Sequence, residues 1–182
     1  MQDIEEIYEP QEDSFMLAEA IDSYAFGSVL DIGTGSGILA EHAAGNSKVK
    51  SVLAVDINPD AVEHCIQNIR NKKIKFLHSN LFSNVKGKFD FIVFNPPYLP
   101  EGRDRVKDKA LIGGRKGHEI LEKFFREAGK HLNPHGRILI VFSSLTGKEK
   151  VDSIIKKCKF KAKLLEKRHI FFEDLYIYLI ER

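Results

Sequence analysis

Val29-Leu30-Asp31-Ile32-Gly33-Thr34-Gly35-Ser36-Gly37 runs from an apolar strand through a G-x-G-x-G turn into a segment of helical pattern. Glycine lets a backbone adopt positive φ and approach a ligand closely. In open α/β sheets, ligands bind beyond the carboxyl ends of the strands, where this turn would lie. Asp56 closes the next apolar run, nineteen residues after Gly37, and an acid at that place can accept hydrogen bonds from ribose hydroxyls. Strand, glycine loop, helix, strand and acid in this order point to a cofactor that contains a nucleoside. A glycine turn beside an unrelated surface acid is the simpler alternative, and it does not account for the order.

Outward from this stretch, strand-like and helix-like segments alternate. Strands are expected at Ser28 to Ile32, Ser51 to Val55, Ile74 to His78, Phe89 to Phe94 and Gly136 to Phe142, with two more within Ala162 to Lys167 and Leu175 to Ile180. Helices are expected at Ile38 to Ala44, from the cap Asn58 and first-turn Pro59 to about Arg70, at Gly117 to His131 and at Lys148 to Lys157. An N-terminal helix, capped by Asp13 or Ser14, would turn Phe15, Leu17, Ala18 and Ile21 inward. Regular β-α alternation implies a mainly parallel sheet with helices on both faces. The last two strands are joined by a short link, so they should pair antiparallel. The expected fold is therefore α/β and Rossmann-like, with seven strands in one domain spanning residues 1 to 182. Residues 1 to 27 would form a helical extension over the cofactor site.

Asn95-Pro96-Pro97-Tyr98 closes the fourth strand. The side-chain oxygen of Asn95 can accept one N–H of a planar NH2 group and the carbonyl of Pro96 the other. The two prolines hold these acceptors in extended geometry, and the Tyr98 ring can lie on a flat substrate. A Pro-Pro turn that merely ends a strand is the plainer alternative. The longest irregular stretch, Leu99 to Lys116, follows directly, and loops of this length in compact domains are often functional. It carries Arg103, Arg105, Lys107, Lys109, Arg115 and Lys116, either as a solvated surface or as a docking surface for protein or RNA.

Three details choose among nucleoside cofactors. The spacing is not the G-x-G-x-x-G of dinucleotide sites. Asp31 is awkward beside a pyrophosphate but suits an ammonium or sulfonium. No nicotinamide-side catalytic set is visible. S-adenosyl-L-methionine fits best, with its ribose at Asp56 and its cationic methionine end towards Asp31.

The bulk numbers bound the answer. The chain has 182 residues, 43% hydrophobic and 30% charged, with a net charge of +2. That balance suits one folded domain and gives no case for nonspecific nucleic-acid binding. Cys65 and Cys158 are far apart, which disfavours a disulfide framework or a zinc site. The acidic start does not match a signal peptide, and no apolar run reaches membrane-spanning length. A cytoplasmic protein without a membrane partner is expected.

Together, Asp31-Ile-Gly-Thr-Gly-Ser-Gly37, Asp56-Ile-Asn58 and Asn95-Pro-Pro-Tyr98 resemble the class I methyltransferases of the HemK group, which methylate the glutamine of the Gly-Gly-Gln loop in peptide chain release factors. Tyr8-Glu-Pro-Gln-Glu-Asp-Ser-Phe15 and Gly113-Gly-Arg-Lys-Gly117 are similar to the archaeal and eukaryotic branch. The resemblance implies that Asp31, Gly33 and Gly35 line the methionine and ribose end, and that Asp56 holds the ribose with Ile57 on the adenine. Asn80 and Leu81 would lie at the adenine amino group, where the family usually has Asp. It implies that Ser14 closes over the cofactor and that Asn95 to Tyr98 clamp the substrate. A small zinc-binding activator protein on the edge strand Ile74 to His78 is a further implication, although Lys72, Lys73 and Lys75 would also protect that edge by charge. The separate N-terminal helical domain of bacterial HemK enzymes is not expected. The alternatives are an RNA or DNA amino-methyltransferase acting on adenine N6 or cytosine N4, a protein-lysine methyltransferase, and a nucleotide-binding module without catalysis. Nucleic acid is the less favoured partner, because so short a chain leaves little for a base-flipping reader.

Overall fold

The computed structural model describes residues 9–97 and 118–182. Tyr98, the basic stretch after it, Gly113 to Gly117 and residues 1 to 8 lie outside the described residues. The elements are α1 (Glu12–Tyr24), β1 (Gly27–Ile32), α2 (Ile38–Gly45), β2 (Val49–Asp56), α3 (Pro59–Asn68), β3 (Ile74–His78), β4 (Phe89–Phe94), α4 (Glu119–Ala128), β5 (Leu132–Ser143), α5 (Lys148–Lys157), β6 (Lys161–Ile170) and β7 (Glu173–Glu181). One seven-stranded sheet forms in the order β3-β2-β1-β4-β5-β7-β6. β7 runs antiparallel to both of its neighbours, and the ladders among β1 to β5 are parallel.

The strands that meet helices on both faces read as unbroken apolar runs, as buried parallel strands do. Alternate residues feed two cores. Leu30, Ile32, Ile92 and Phe94 pack with Leu121, Phe124 and Phe125 of α4 and with Val151, Ile154 and Ile155 of α5. Val29, Phe91, Val93 and Leu139 point the other way, to Met16, Leu17 and Ile21 of α1 and to Leu39, Ala40 and Ala43 of α2. α3 begins as its sequence indicates, with the Asn58 side chain accepting the Asp60 N–H at 2.9 Å and Pro59 in the first turn.

Two local expectations are corrected. α1 is entered at Gln11, and neither Asp13 nor Ser14 is its cap. Both are buried inside the first turn, Met16 faces the core, and Phe15 is about half exposed. β5 begins at Leu132 and not at Gly136. Asn133-Pro134-His135-Gly136 has the composition of a turn, but the strand absorbs it as an irregularity where the pairing steps from Phe89–Leu132 to Phe91–Arg137. His135 has φ +64°, and Asn133 donates to Asp90 at 2.8 Å, which keeps the strand attached across the irregularity.

Candidate active site

The carboxyl ends of β1, β2, β3 and β4 gather the residues singled out in the sequence. After β1 the chain turns sharply, with Gly33, Gly35 and Gly37 at φ +70°, +52° and +87°. These values are costly for other residues. Gly37 is doubly constrained, since a Cβ there would collide with the Ile69 side chain and lie 3.0 Å from the Cys65 sulfur. The turn is tied to its surroundings by the Gly33 and Thr34 N–H groups, which both donate to the Val55 carbonyl. The Gly35 N–H donates to Asp56 Oδ2 at 2.8 Å, and the Asn58 N–H donates to Asp56 Oδ1 at 2.8 Å. A carboxylate has about four lone-pair positions, so Asp56 retains acceptor capacity on each oxygen.

Asp31 is fully buried at the end of β1. Its Oδ2 accepts from the Thr34 hydroxyl at 2.7 Å, whereas its Oδ1 has no hydrogen-bond partner. Burial pushes its carboxyl up to about 7, and the neighbouring Asp56 adds to the rise. The Thr34 hydrogen bond and the nearby Ala40 backbone act in the opposite sense without cancelling the rise. Such a group favours a nearby cation. Ile57 is 61% exposed just beyond β2. After β3, the Ser79 hydroxyl donates to the Leu81 carbonyl, and the Asn80 N–H donates to the Ser83 hydroxyl. Leu81 is thereby held at φ +49°.

β4 lies beside β1, with Phe94 opposite Ile32, so Asn95 emerges next to the glycine turn. A Cβ on Gly33 would be 3.9 Å from the Asn95 carbonyl oxygen. Asn95 Nδ2 donates to Asp13 Oδ2 and to Ser14 Oγ, both at 3.3 Å. Asp13 Oδ1 accepts from the Ser14 N–H at 2.6 Å and from its hydroxyl at 3.2 Å. An ionised carboxylate only accepts. The Asn95 amide must therefore face Asp13 with its NH2 side, which directs its oxygen away. That oxygen is buried and without a partner. Asp31 Oδ1 and Asn95 Oδ1 are the two buried side-chain polar atoms left unpaired among the described residues. Buried acceptors are ordinarily satisfied, so two such atoms at the ends of adjacent strands mark places built for donors.

The sequence reading thus assembled Asp31, Gly33, Gly35, Asp56, Ile57, Asn80, Leu81, Asn95, Pro96 and Pro97 at the carboxyl edges of β1 to β4, and Ser14 beside them. It missed Asp13 as part of this constellation. Asp13 lies within Tyr8 to Phe15, but an acid at a helix start reads as a cap, and Asn95, whose amide it accepts from, is 82 residues away.

A sheet in this strand order, with a glycine turn after β1 and an acid closing β2, defines the class I methyltransferases. The chain matches the methyltransferase small domain family over residues 11–171, and it belongs to that family. It is 39% identical, over 94% of its length and 90% of the relative's, to a protein of Methanocaldococcus jannaschii described as a candidate protein N5-glutamine methyltransferase. It is 37% identical to the release factor glutamine methyltransferase of Aquifex aeolicus, across 75% of this chain and 53% of that protein. Among solved structures, the E. cuniculi Mtq2–Trm112 complex, responsible for methylation of the eRF1 translation termination factor, has a chain of the same fold. Its TM-score is 0.77 at 24% identity, covering 96% of this chain and 98% of that one. The protein is an S-adenosylmethionine-dependent methyltransferase. The unpaired Asp31 oxygen, the glycine cradle and the spare acceptor capacity of Asp56 fit that cofactor. Among the described residues, no helix is long and apolar enough to cross a membrane.

Proposed function

We propose that this enzyme methylates the side-chain amide nitrogen of the glutamine in the Gly-Gly-Gln loop of a peptide chain release factor. One observation carries the reading: the Asn95 amide is pinned through its nitrogen by Asp13 and Ser14 and presents a buried, unpaired oxygen. That oxygen accepts one N–H of the substrate NH2 group, and the Pro96 carbonyl accepts the other. The relatives described as glutamine methyltransferases support the same substrate.

Gly33, Gly35 and Asp31 hold the methionine end of the cofactor, and Asp56 holds the ribose hydroxyls. Ile57, Asn80 and Leu81 border the adenine, and Ser14 closes the pocket from α1. When bound, S-adenosylmethionine supplies an electron-poor methyl carbon for in-line displacement. The chain's own residues determine what meets it. An amide nitrogen is a poor nucleophile and too weak an acid to be deprotonated first, so catalysis rests on position and polarity. Asn95 and Pro96 turn the nitrogen lone pair towards the donor. Both hydrogen bonds strengthen as positive charge develops on nitrogen, and the proton leaves late without a dedicated base. Pro97 holds the clamp rigid.

Among the described residues, the edge strand β3 pairs with β2 alone. A small zinc-binding activator protein pairs with it in this reading, supported by a structural neighbour that was solved as a two-protein complex. The function is tested by transfer of labelled methyl groups from S-adenosylmethionine to a purified release factor, to its Gln→Ala loop variant, and to tRNA and DNA. Label is expected on the unmodified factor alone. Label that survives the Gln→Ala change, or that enters nucleic acid instead, overturns the assignment.

A further inference from the structure

The turn between β6 and β7 carries two side chains that methyl transfer does not explain. Phe171 and Phe172 are 92% and 93% exposed. They form a two-residue link between Ile170 and Glu173, which pair across the hairpin. Phe171 has φ +42°, a left-handed conformation that hairpins ordinarily give to glycine or asparagine. A bulky residue in such a conformation is a strained choice, and strain of this kind gathers at functional positions.

The turn is also braced. Asp174 N–H donates to Ser144 Oγ at 3.0 Å, and Ser143 Oγ donates to the Glu173 carboxylate. Arg168 reaches α1 through Glu12 at 2.5 Å and Glu19 at 3.4 Å. Glu12 precedes Asp13, the residue that holds the Asn95 amide, so the base of the turn and the acceptor site share the first turn of α1.

The ladder positions place the tip on the same edge of the sheet as Asn95. Phe94 pairs with Ile140, Val141 with Ile177, and Ile177 with Glu166. The step from β4 to β6 is three strand spacings, about 14 Å, and Glu173 lies four residues beyond Ile177, about 13 Å. The rings therefore stand roughly 20 Å from Asn95. A standard interface of about 800 Å² per partner is about 30 Å across, so one docked protein covers both places.

We infer that the Phe171–Phe172 tip is a second anchor for the protein that carries the acceptor glutamine, and that it seats in an apolar patch beside the glutamine loop. The inference rests on the glutamine reading above. Two aromatic side chains offer about 300–500 Å², short of the roughly 800 Å² per partner of a stable interface with a second copy of this chain, but aromatic anchors of this size add strongly to a contact already made elsewhere.

The test compares the 182-residue chain with the double variant Phe171→Ser/Phe172→Ser and with Phe171→Gly, on an intact release factor and on a short peptide spanning its glutamine loop. The double variant is expected to raise KM for the intact factor about tenfold, with kcat, KM for the peptide and cofactor affinity unchanged. Phe171→Gly is expected to melt higher than wild type, because glycine relieves the strained φ, and still to show part of the KM loss. Equal KM values for the intact factor overturn the proposal. So does an equal loss on peptide and factor, or sedimentation showing a dimer that the double variant abolishes while KM stays constant. Peptide methylation by the double variant at the wild-type rate leaves the glutamine reading standing whatever happens at the tip.

Discussion

The two halves of the site are built in different ways. The cofactor half uses neighbours in sequence. Asp31 and the glycine turn occupy consecutive positions, and Asp56 closes the adjacent strand, where it binds the turn through Gly35 N–H. The acceptor half joins Asn95 to Asp13 and Ser14 on α1, across 82 and 81 residues. Each half leaves one buried acceptor unpaired, Asp31 Oδ1 in the first and Asn95 Oδ1 in the second. In the proposed function, the first faces the cationic end of the cofactor and the second a neutral N–H of the substrate. Binding and turnover should therefore separate when the halves are damaged individually.

The largest effect is expected from Asn95→Ala. Loss of one preorganised polar group that acts in the transition state lowers turnover by about 10²–10³-fold, and cofactor affinity should stay within a few-fold. Calorimetry and single-turnover methyl transfer measure the two quantities. Asp56→Ala should do the reverse. Hydrogen bonds to a charged acceptor contribute about 1.5–3 kcal/mol each, so the cofactor Kd should rise by about 10²-fold while turnover at saturating cofactor changes much less. Equal losses in both quantities for either variant would dissolve the distinction between the halves.

Asp13→Ala sharpens the comparison, because Asp13 touches neither methyl donor nor acceptor in this account. It frees the Asn95 amide to turn. We expect turnover to fall about tenfold with cofactor affinity preserved, and Asp13→Asn, which still offers an acceptor, to recover part of the loss. In the Asn95→Ala background the Asp13 change should cost little more, since coupled residues are not additive. Additive losses would show that Asp13 acts on something other than the amide.

How far the sequence disclosed these two halves follows from the distances involved. The glycine turn, the Asn58 cap and the edges of β3, β4 and α5 were legible, because each depends on residues a few positions apart. Turn composition hid the start of β5. Asn133 to Gly136 signals a chain reversal, yet the bond from Asn133 to Asp90 keeps the segment in the strand. Capping preference hid the role of Asp13. An acid and a serine at a helix start are ordinary caps, and nothing local reveals that their hydrogen bonds go to a residue at the end of β4. Leu17, Ala18 and Ile21 of α1 face inward as expected, and Phe15 alone departs for the same reason, since burying Asp13 and Ser14 turns Met16 inward and leaves Phe15 half exposed.

The smallest effect concerns pH. In the free protein Asp31 has its carboxyl pushed up to about 7 from an ordinary 3.8. The native state thus favours the protonated form. Its contribution to stability is present below pH 3.8 and is lost as pH rises through 7. Asp31→Asn should therefore raise the melting temperature at pH 8 and change it little at pH 4. A cationic ligand requires the ionised form, so cofactor affinity should increase about threefold between about pH 6.5 and about pH 7.5, with proton release visible by calorimetry in buffers of different ionisation enthalpy. Both trends should vanish in the asparagine variant.

The most direct test of the clamp is a crystal structure of the enzyme with S-adenosylhomocysteine and a glutamine-containing loop peptide. The account places the glutamine nitrogen within hydrogen-bonding distance of both Asn95 Oδ1 and the Pro96 carbonyl, with Asn95 Nδ2 still on Asp13. A glutamine bound elsewhere, or an Asn95 amide rotated to present its nitrogen to the substrate, would contradict it.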